Sequence, residues 1–445
     1  MERIAGGGDG GRVTLRALSP TLPQDAGRAE VRFRRAVPAR IACRGLADQI
    51  AWRPESLDLV DLATAVLIAD RSVRRVGAQP RRISVLIPVR HPRLWRDIAS
   101  DIAKLLHVLT DDRFELEFCS APRKPSSKRL GRPPRLDRVA LFSGGLDSAA
   151  AAAVFAEGDE ITGFVSHYVT GIQRINRLLQ QIGIAYGRRR PVIHAGFFIS
   201  PGRGVALREH SRRTRSFLFA SLATVTAVET GASEIAVCEN GPLALNLPLS
   251  AAMVPTRHAH SAFLDAVAGL ARRAFGAEIR VVNPFELRTK GEVSRVFTPN
   301  PALALQTTSC WHQQWSGRGA RYGHGHCGLC LPCLVRRVAL TAAEIAFPPR
   351  HFDVDVVRLA HKARKTAADS VSLGPFRALS RFADEIQHCP TWRRFLEQFP
   401  EAIESHSTMA PLSPDEWWPA LFGMMRRFGT EVTTALSGPV PRVGS

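Results

Sequence analysis

From about residue 139 to residue 347, short runs of apolar, β-branched and aromatic residues alternate with longer amphipathic stretches, in which apolar positions recur every three to four residues. The runs at 139–142, 161–169, 191–198, 234–239 and 279–285 predict strands. The stretches at 148–156, 172–184, 211–230, 261–275, 290–297 and 333–345 predict helices. Repeated strand–helix alternation predicts an α/β fold with a doubly wound parallel sheet. Ligands of such sheets bind beyond the C-terminal ends of the strands. Upstream, 83–89 and 114–119 predict strands and 57–70 and 94–109 predict helices, which suggests a small α+β accessory domain over 1–122. Residues 123–138 are basic and proline-rich and predict a linker. From 348 to 445 the pattern turns helical, with tryptophan and phenylalanine at 392–399 and 416–428 and no recognisable chemical motif.

Composition changes this picture little. A chain of 445 residues has room for two or three domains, and 45% apolar with 22% charged residues is ordinary for a globular protein. Residues 1–12 are glycine-rich without an apolar core, and the longest apolar stretch, 217–228, is too short to span a bilayer. The expectation is therefore a cytoplasmic protein with no membrane partner. The net charge of +20 raises nucleic acid as a partner. Only six of the sixty basic residues are lysines, however, and such an arginine bias beside abundant alanine and glycine is what GC-rich coding produces. The arginines of 129–135 faintly resemble the GRP core of an AT-hook, but a solvated linker is the reading they favour.

The chemistry concentrates in two places. Ser143-Gly144-Gly145-Leu146-Asp147-Ser148 follows the apolar run ending at Phe142 and opens an alanine-rich helix. Glycines let backbone N–H groups approach phosphate oxygens, the helix N-terminus adds its amides and dipole, and Ser143 and Ser148 add hydroxyls. Asp147 fits beside phosphate if it holds Mg²⁺ between itself and the phosphate oxygens. No Walker sequence occurs in the chain. The bland alternative is a glycine turn before an ordinary helix. The second place is Cys310 with Cys327, Cys330 and Cys333, four of eight cysteines within a short span. Two-residue spacers let thiolates converge on one ion, and a structural Zn²⁺ site is the reading they favour, against an iron–sulfur cluster, a redox dithiol or unliganded thiols. His312, His324 and His326 lie in the same region as alternative ligands, while Cys43, Cys119, Cys238 and Cys389 read as core residues.

The loop resembles the SGGxDS signature of the PP-loop ATP pyrophosphatases, which cleave ATP between the α and β phosphates. Together with the cysteines it is similar to the 7-cyano-7-deazaguanine synthases, the QueC family, over residues 139–346. Thr289-Lys290-Gly291-Glu292 matches a threonine–lysine segment after the last strand, and Ser309-Cys310 with the three later cysteines matches the zinc cluster. The sequence departs from the family at Ser166-His167-Tyr168-Val169-Thr170-Gly171, at Arg213-Thr214-Arg215-Ser216, between Glu239 and Asn246, and in a longer spacer after Cys310. The extra terminal domains, the helix beginning Arg213-Thr214-Arg215-Ser216-Phe217 and Glu239-Asn240-Gly241 resemble the QueC-like branch of bacterial anti-phage systems of the Qat type.

The resemblance implies an ATP-dependent C–N ligase that uses ATP, Mg²⁺ and Zn²⁺. It would activate 7-carboxy-7-deazaguanine or a related group, free or carried on a macromolecule, and serve defence alongside proteins of the same operon. It places ATP on Phe142, Ser143, Gly144, Gly145, Leu146, Asp147 and Ser148. Lys290 and Arg215 are candidates to neutralise phosphate charge, with ordinary salt bridges as the plain alternative. Glu239 and Asn246 are candidates to read a heterocycle's edge, with loop capping equally open. His258 and His260 are of the right type for general bases but stay outside the catalytic set. Two competing functions remain: a tRNA-modifying PP-loop enzyme that adenylates a base, and a non-catalytic ATP-binding subunit of a defence complex.

Overall fold

The computed structural model describes residues 14–17, 28–33, 36–76, 79–121, 133–168, 172–187, 192–202, 205–209, 213–247, 257–311, 325–366, 373–406 and 412–437. The first part of the chain supplies β1 (Thr14–Ala17), β2 (Arg28–Arg32), β3 (Ala39–Gly45), α1 (Leu46–Gln49) and α2 (Pro54–Ser72). It continues with β4 (Arg82–Val89), α3 (Pro92–Asp97), α4 (Ala99–Thr110) and β5 (Arg113–Ser120). The middle supplies β6 (Arg138–Leu141), α5 (Leu146–Glu157), β7 (Thr162–Tyr168), α6 (Ile172–Tyr186), β8 (Ile193–Pro201) and α7 (Arg215–Thr230). After these come β9 (Glu234–Ala236), α8 (Gly241–Leu245), α9 (Ser261–Phe275), β10 (Arg280–Val282), α10 (Lys290–Ser294) and α11 (Pro301–Gln306). The remaining helices are α12 (Leu331–Ala342), α13 (Val356–Thr366), α14 (Gly374–His388), α15 (Trp392–Gln398) and α16 (Pro414–Ser437). Most of the linker expected at 123–138, including part of the arginine run, lies outside the described residues.

The larger sheet has the order β10-β9-β6-β7-β8-β3. Its strands from β10 to β8 are parallel, as the strand–helix alternation predicts. β7 and β8 extend to one side of β6, whereas β9 and β10 extend to the other. The order therefore reverses between β6 and β9, the position beyond whose strand C-termini ligands of open parallel sheets bind. The sheet is buried on both faces, which explains why its strands read as apolar runs rather than as alternating patterns. Val139 and Ile235 pack with α7 and α9 in one apolar cluster, while their neighbours Ala140 and Ala236 pack with α5 and α6 in another. Successive residues of a strand face opposite ways, so each contributes to both layers.

The smaller sheet has the order β1-β2-β4-β5, parallel from β2 to β5. One strand crosses the boundary expected at residue 122. β3 pairs antiparallel with β8, from Ala39 opposite Pro201 to Gly45 opposite Ala195, and forms an edge of the larger sheet. The apolar cluster that contains β4 and α2 is also continuous with α7 and α9. The guanidinium of Arg81 is buried between Asp70 and Asp112, and Asp70 in turn accepts a 2.8 Å hydrogen bond from Thr214 Oγ1 at the start of α7. That network fixes where α7, and hence Arg215, begins. Helices α12 to α16 share a third cluster around Trp417, Met424 and Phe428. Among the described residues no helix is long and apolar enough to cross a membrane.

Candidate functional site: a glycine loop and a buried carboxylate–lysine cluster

The glycine motif falls at the reversal of strand order. β6 ends at Leu141, Gly144 takes φ = 75°, and Gly145 caps α5. A positive φ costs glycine nothing, which is why the turn can be this tight. The loop is braced from three directions. Ser166 Oγ donates to the Phe142 carbonyl at 2.6 Å, Thr308 N–H donates to the Gly144 carbonyl at 3.0 Å, and Ser148 Oγ donates to the Gly145 carbonyl at 3.1 Å. Ser143 Oγ lies 3.2 Å from Ser148 Oγ and accepts the Gly145 amide at 3.3 Å. The first-turn amides of Leu146 and Asp147 have no carbonyl one turn back within their helix, as at any helix start.

Asp147 turns inward. Its carboxylate is 5% exposed and forms an ion pair with Lys290, itself 7% exposed, at the start of α10. Asn240, fully buried at the turn after β9, donates from Nδ2 to Asp147 Oδ1 at 3.2 Å and to Glu239 Oε1 at 2.7 Å. Lys290 Nζ lies 3.9 Å from Glu239 Oε1, and His258 Nε2 lies 3.0 Å from Glu239 Oε2. Asn283, just past β10, closes the arrangement: its Nδ2 donates to the Glu239 carbonyl at 2.8 Å and its Oδ1 accepts the Glu239 amide at 3.2 Å. A buried and a half-buried carboxylate thus share one ammonium. Burial, with Glu239 adding to it and Lys290 opposing, pushes Asp147 up to about 6. For Glu239, burial is outweighed by Lys290 and His258, which hold it at about 2.

The chain reaches this geometry through short capped elements. Thr289 and Glu292 form a reciprocal capping box on α10, which directs Lys290 toward the loop. A Cβ on Gly241 would stand 2.3 Å from the Glu286 carbonyl oxygen, so only glycine fits where α8 leaves the site. Behind α10, Glu431 of α16 accepts from Thr289 Oγ1 at 2.5 Å, and burial pushes its carboxyl up to about 7 from the ordinary 4.5. A folded value above the unfolded one means that its stabilising contribution is complete below pH 4.5 and is lost as the pH rises through about 7. Glu431→Gln is therefore expected to match the parent near pH 5 and to exceed its stability at pH 8.5 by on the order of 2 kcal/mol. Denaturant titrations at the two pH values check this, and parallel pH profiles for parent and variant would refute it.

The structure brings four of the sequence candidates together: the glycine loop, Asp147, Lys290 and Glu239. Arg215 stands in the first turn of α7, with its guanidinium 5.1 Å from the Phe219 ring centre and its charge felt by His167 of β7. Asn246 ends α8 in the left-handed conformation, φ = 48°, where it terminates a short helix. Sequence reasoning passed over Asn240 and Asn283 and set His258 aside. Asn240 stands in the Glu239-Asn240-Gly241 segment, where an amide beside an acidic residue at a strand end is the available signal. Asn283 offered none, because its role depends on β10 lying beside β9.

The second candidate centre lies on α12 and the segment before it. Cys310, Cys327, Cys330 and Cys333 are all buried, and their sulfur atoms lie within 4.8 Å of one another. Cys327–Cys333 and Cys330–Cys310 sulfur separations are each 3.9 Å. A tetrahedral ion with bonds of ~2.3 Å to sulfur sets ligand sulfurs about 3.8 Å apart, so the spacing suits a metal such as zinc. The Cys327 sulfur also accepts backbone N–H groups from Leu329 and Cys330, each at 3.4 Å, as a thiolate ligand would. His312 and His324 lie outside the described residues. His326 is buried, stacks on His351 with ring centres 4.8 Å apart, and accepts the Ser309 amide at Nε2, 3.4 Å away. It flanks the four sulfurs as a packing and hydrogen-bonding neighbour. The chain matches no protein-family model, and no curated protein matches its sequence.

Proposed function

We propose that this protein is an ATP-dependent ligase of the PP-loop, 7-cyano-7-deazaguanine synthase type. It activates a carboxylate or amide oxygen as an adenylate, releases pyrophosphate and AMP, and serves anti-phage defence. The observation that carries this reading is the Ser-Gly-Gly-Leu-Asp-Ser loop at the reversal of a parallel sheet, with Asp147 packed against Lys290, Asn240 and Glu239. A glycine turn that served only to start a helix would not require a buried lysine paired with a buried and a half-buried carboxylate beside it.

In this reading the loop amides and α5 N-terminus hold the β and γ phosphates. The substrate oxygen attacks the α-phosphorus and the bond to the β-phosphate oxygen breaks, so that pyrophosphate leaves. Lys290 neutralises charge that grows on the leaving oxygens. Mg²⁺, when bound, would be held by Asp147 together with phosphate oxygens and would supply the same neutralisation. An amine then attacks the acyl carbon, AMP leaves, and the new ammonium sheds its proton. A second round on the amide oxygen would give a nitrile. Glu239, held ionised, is a weak base but a strong acceptor, which suits it to hydrogen-bond a heterocycle's N–H. Arg215, in the first turn of α7 and near His167 of β7, is the further candidate cation for phosphate.

A sulfur-transferring relative would need a reactive thiol near the loop. Cys238 adjoins Glu239, but burial and the nearby Asp147 push its thiol well above the ordinary range. That favours amine over sulfur as the nucleophile.

The test is release of pyrophosphate and AMP from Mg-ATP by the zinc-loaded protein, with and without 7-carboxy-7-deazaguanine and ammonia, products being followed by mass spectrometry. Acid-dependent AMP with an amide or nitrile product is expected, and Asp147→Ala should lower the rate at least about a hundredfold. ATP binding without any stimulation by the acid would sink the small-molecule reading and leave a macromolecular acceptor or a sensing role.

A further inference from the structure

Arg336 is 0% exposed, yet its hydrogen-bond partners are neutral. Nε donates to His351 Nε2 at 3.0 Å, Nη1 to Thr307 Oγ1 at 2.6 Å and Ser309 Oγ at 3.3 Å, and Nη2 to the Ala304 carbonyl at 2.7 Å. Among the described residues no carboxylate pairs with it. A guanidinium taken out of water needs a counter-charge as well as hydrogen bonds. Cys333 stands three positions earlier on the same helix face, where a metal-bound thiolate would act on the guanidinium. Four thiolates around one divalent ion carry a net charge of about −2, which is the balance this cation lacks.

What Arg336 grips is equally specific. Ala304, Thr307 and Ser309 lie in the segment that ends at Cys310, and Thr308 within it donates to Gly144 of the loop at 3.0 Å. One guanidinium therefore joins the cysteine cluster to the stretch that braces the glycine turn.

We propose that Arg336 is a positioning residue: it draws residues 304–309 onto α12, takes its counter-charge from the metal-bound thiolates, and so couples metal binding to nucleotide binding at the glycine loop. The proposal rests on the metal and ATP readings above and adds the link between them. By linkage, a nucleotide that tightens the loop tightens zinc by the same factor.

The experiment uses the full-length chain, in parent, Arg336→Met and Arg336→Lys forms. Zinc affinity is measured by competition with a chromophoric chelator, with and without a saturating α,β-methylene ATP analogue and Mg²⁺. The parent is expected to hold zinc about tenfold tighter with the analogue present. Arg336→Met should weaken zinc about tenfold or more and abolish the analogue's effect. Arg336→Lys keeps the charge without the fork, so zinc affinity should return to within about threefold while the coupling stays lost. Parental zinc affinity or parental coupling in Arg336→Met would overturn the proposal. Should that variant fail to fold, Thr307→Val with Ser309→Ala keeps the cation and removes two of its acceptors. Reduced coupling at near-parental zinc affinity is expected there, and undiminished coupling would overturn the proposal too. If the parent binds no analogue at all, the ATP reading fails and the coupling fails with it, while the zinc affinities still decide whether Arg336 and the thiolates balance one another.

Discussion

Lys290→Ala is expected to lower the proposed adenylate formation by about a thousandfold and to make the fold markedly more sensitive to alkaline pH. The first effect follows from its place beside Asp147 at the loop, where a cation is worth several kcal/mol to charge that develops in the transition state. The second follows from what the lysine leaves behind. Asp147 is buried, Glu239 is half-buried, and the two are linked through Asn240. Even with Lys290 present, Asp147 stands near 6 rather than its ordinary 3.8. Without the ammonium, the pair takes up a proton at a still higher pH. A folded value above the unfolded one means stability that is complete below about pH 4 and lost as the pH rises through the folded value. Denaturation midpoints at pH 5 and pH 8 should therefore diverge more in Lys290→Ala than in the parent. Retained activity within threefold and an unchanged pH profile would reduce Lys290 to a dispensable surface-type salt bridge.

How much of this was legible beforehand depended on how local the cause was. The five parallel strands announce themselves because burial on both faces makes them mostly apolar. Their limits moved: the expected 234–239 is a strand only over Glu234–Ala236, since Cys238, Glu239 and Asn240 leave the ladder to form the site. The expected helix over 94–109 is broken into Pro92–Asp97 and Ala99–Thr110 at Ile98, whose φ of −115° and ψ of 7° leave the helical region. β3 was not read at all. Its Ala-Arg-Ile-Ala-Cys-Arg-Gly sequence is half exposed, and only pairing with β8, far along the chain, makes it a strand.

The site divides in the same way. The glycine loop and the cysteine spacing are local patterns with a direct chemical cause, and both stand where the sequence put them. The cluster around Asp147 is assembled from five separate segments, at 147, 239–240, 258, 283 and 290, and nothing in any one of them states the distance to the others. Arg336 was invisible for a related reason. A basic residue on an amphipathic helix reads as solvent-facing, and only the packing of α12 against residues 304–309 buries it.

Cys333→Ser is the change expected to cost the fold most. The four cysteines are part of the apolar cluster that also contains Phe285, Phe297, Phe347 and Phe352. Cys333 is fully buried in the first turn of α12, and serine preserves its size while removing a thiolate. A metal held by Cys310, Cys327, Cys330 and Cys333 would tie two chain segments together beneath the loop, and its loss would free both. An expected loss of one bound zinc and on the order of 4 kcal/mol corresponds to a fall in Tm of about 10 °C for a domain of this size. The control is Cys389→Ser, a buried cysteine among the C-terminal helices whose thiol donates to the Thr391 carbonyl at 3.5 Å. It should keep its zinc and lose only about 1 kcal/mol. Metal content by atomic absorption and thermal unfolding decide the matter together. If Cys333→Ser behaves like Cys389→Ser, the four sulfurs are packing residues that happen to converge. If it loses metal and melts early, the ion belongs to the fold, and the brace from Thr308 to Gly144 depends on it.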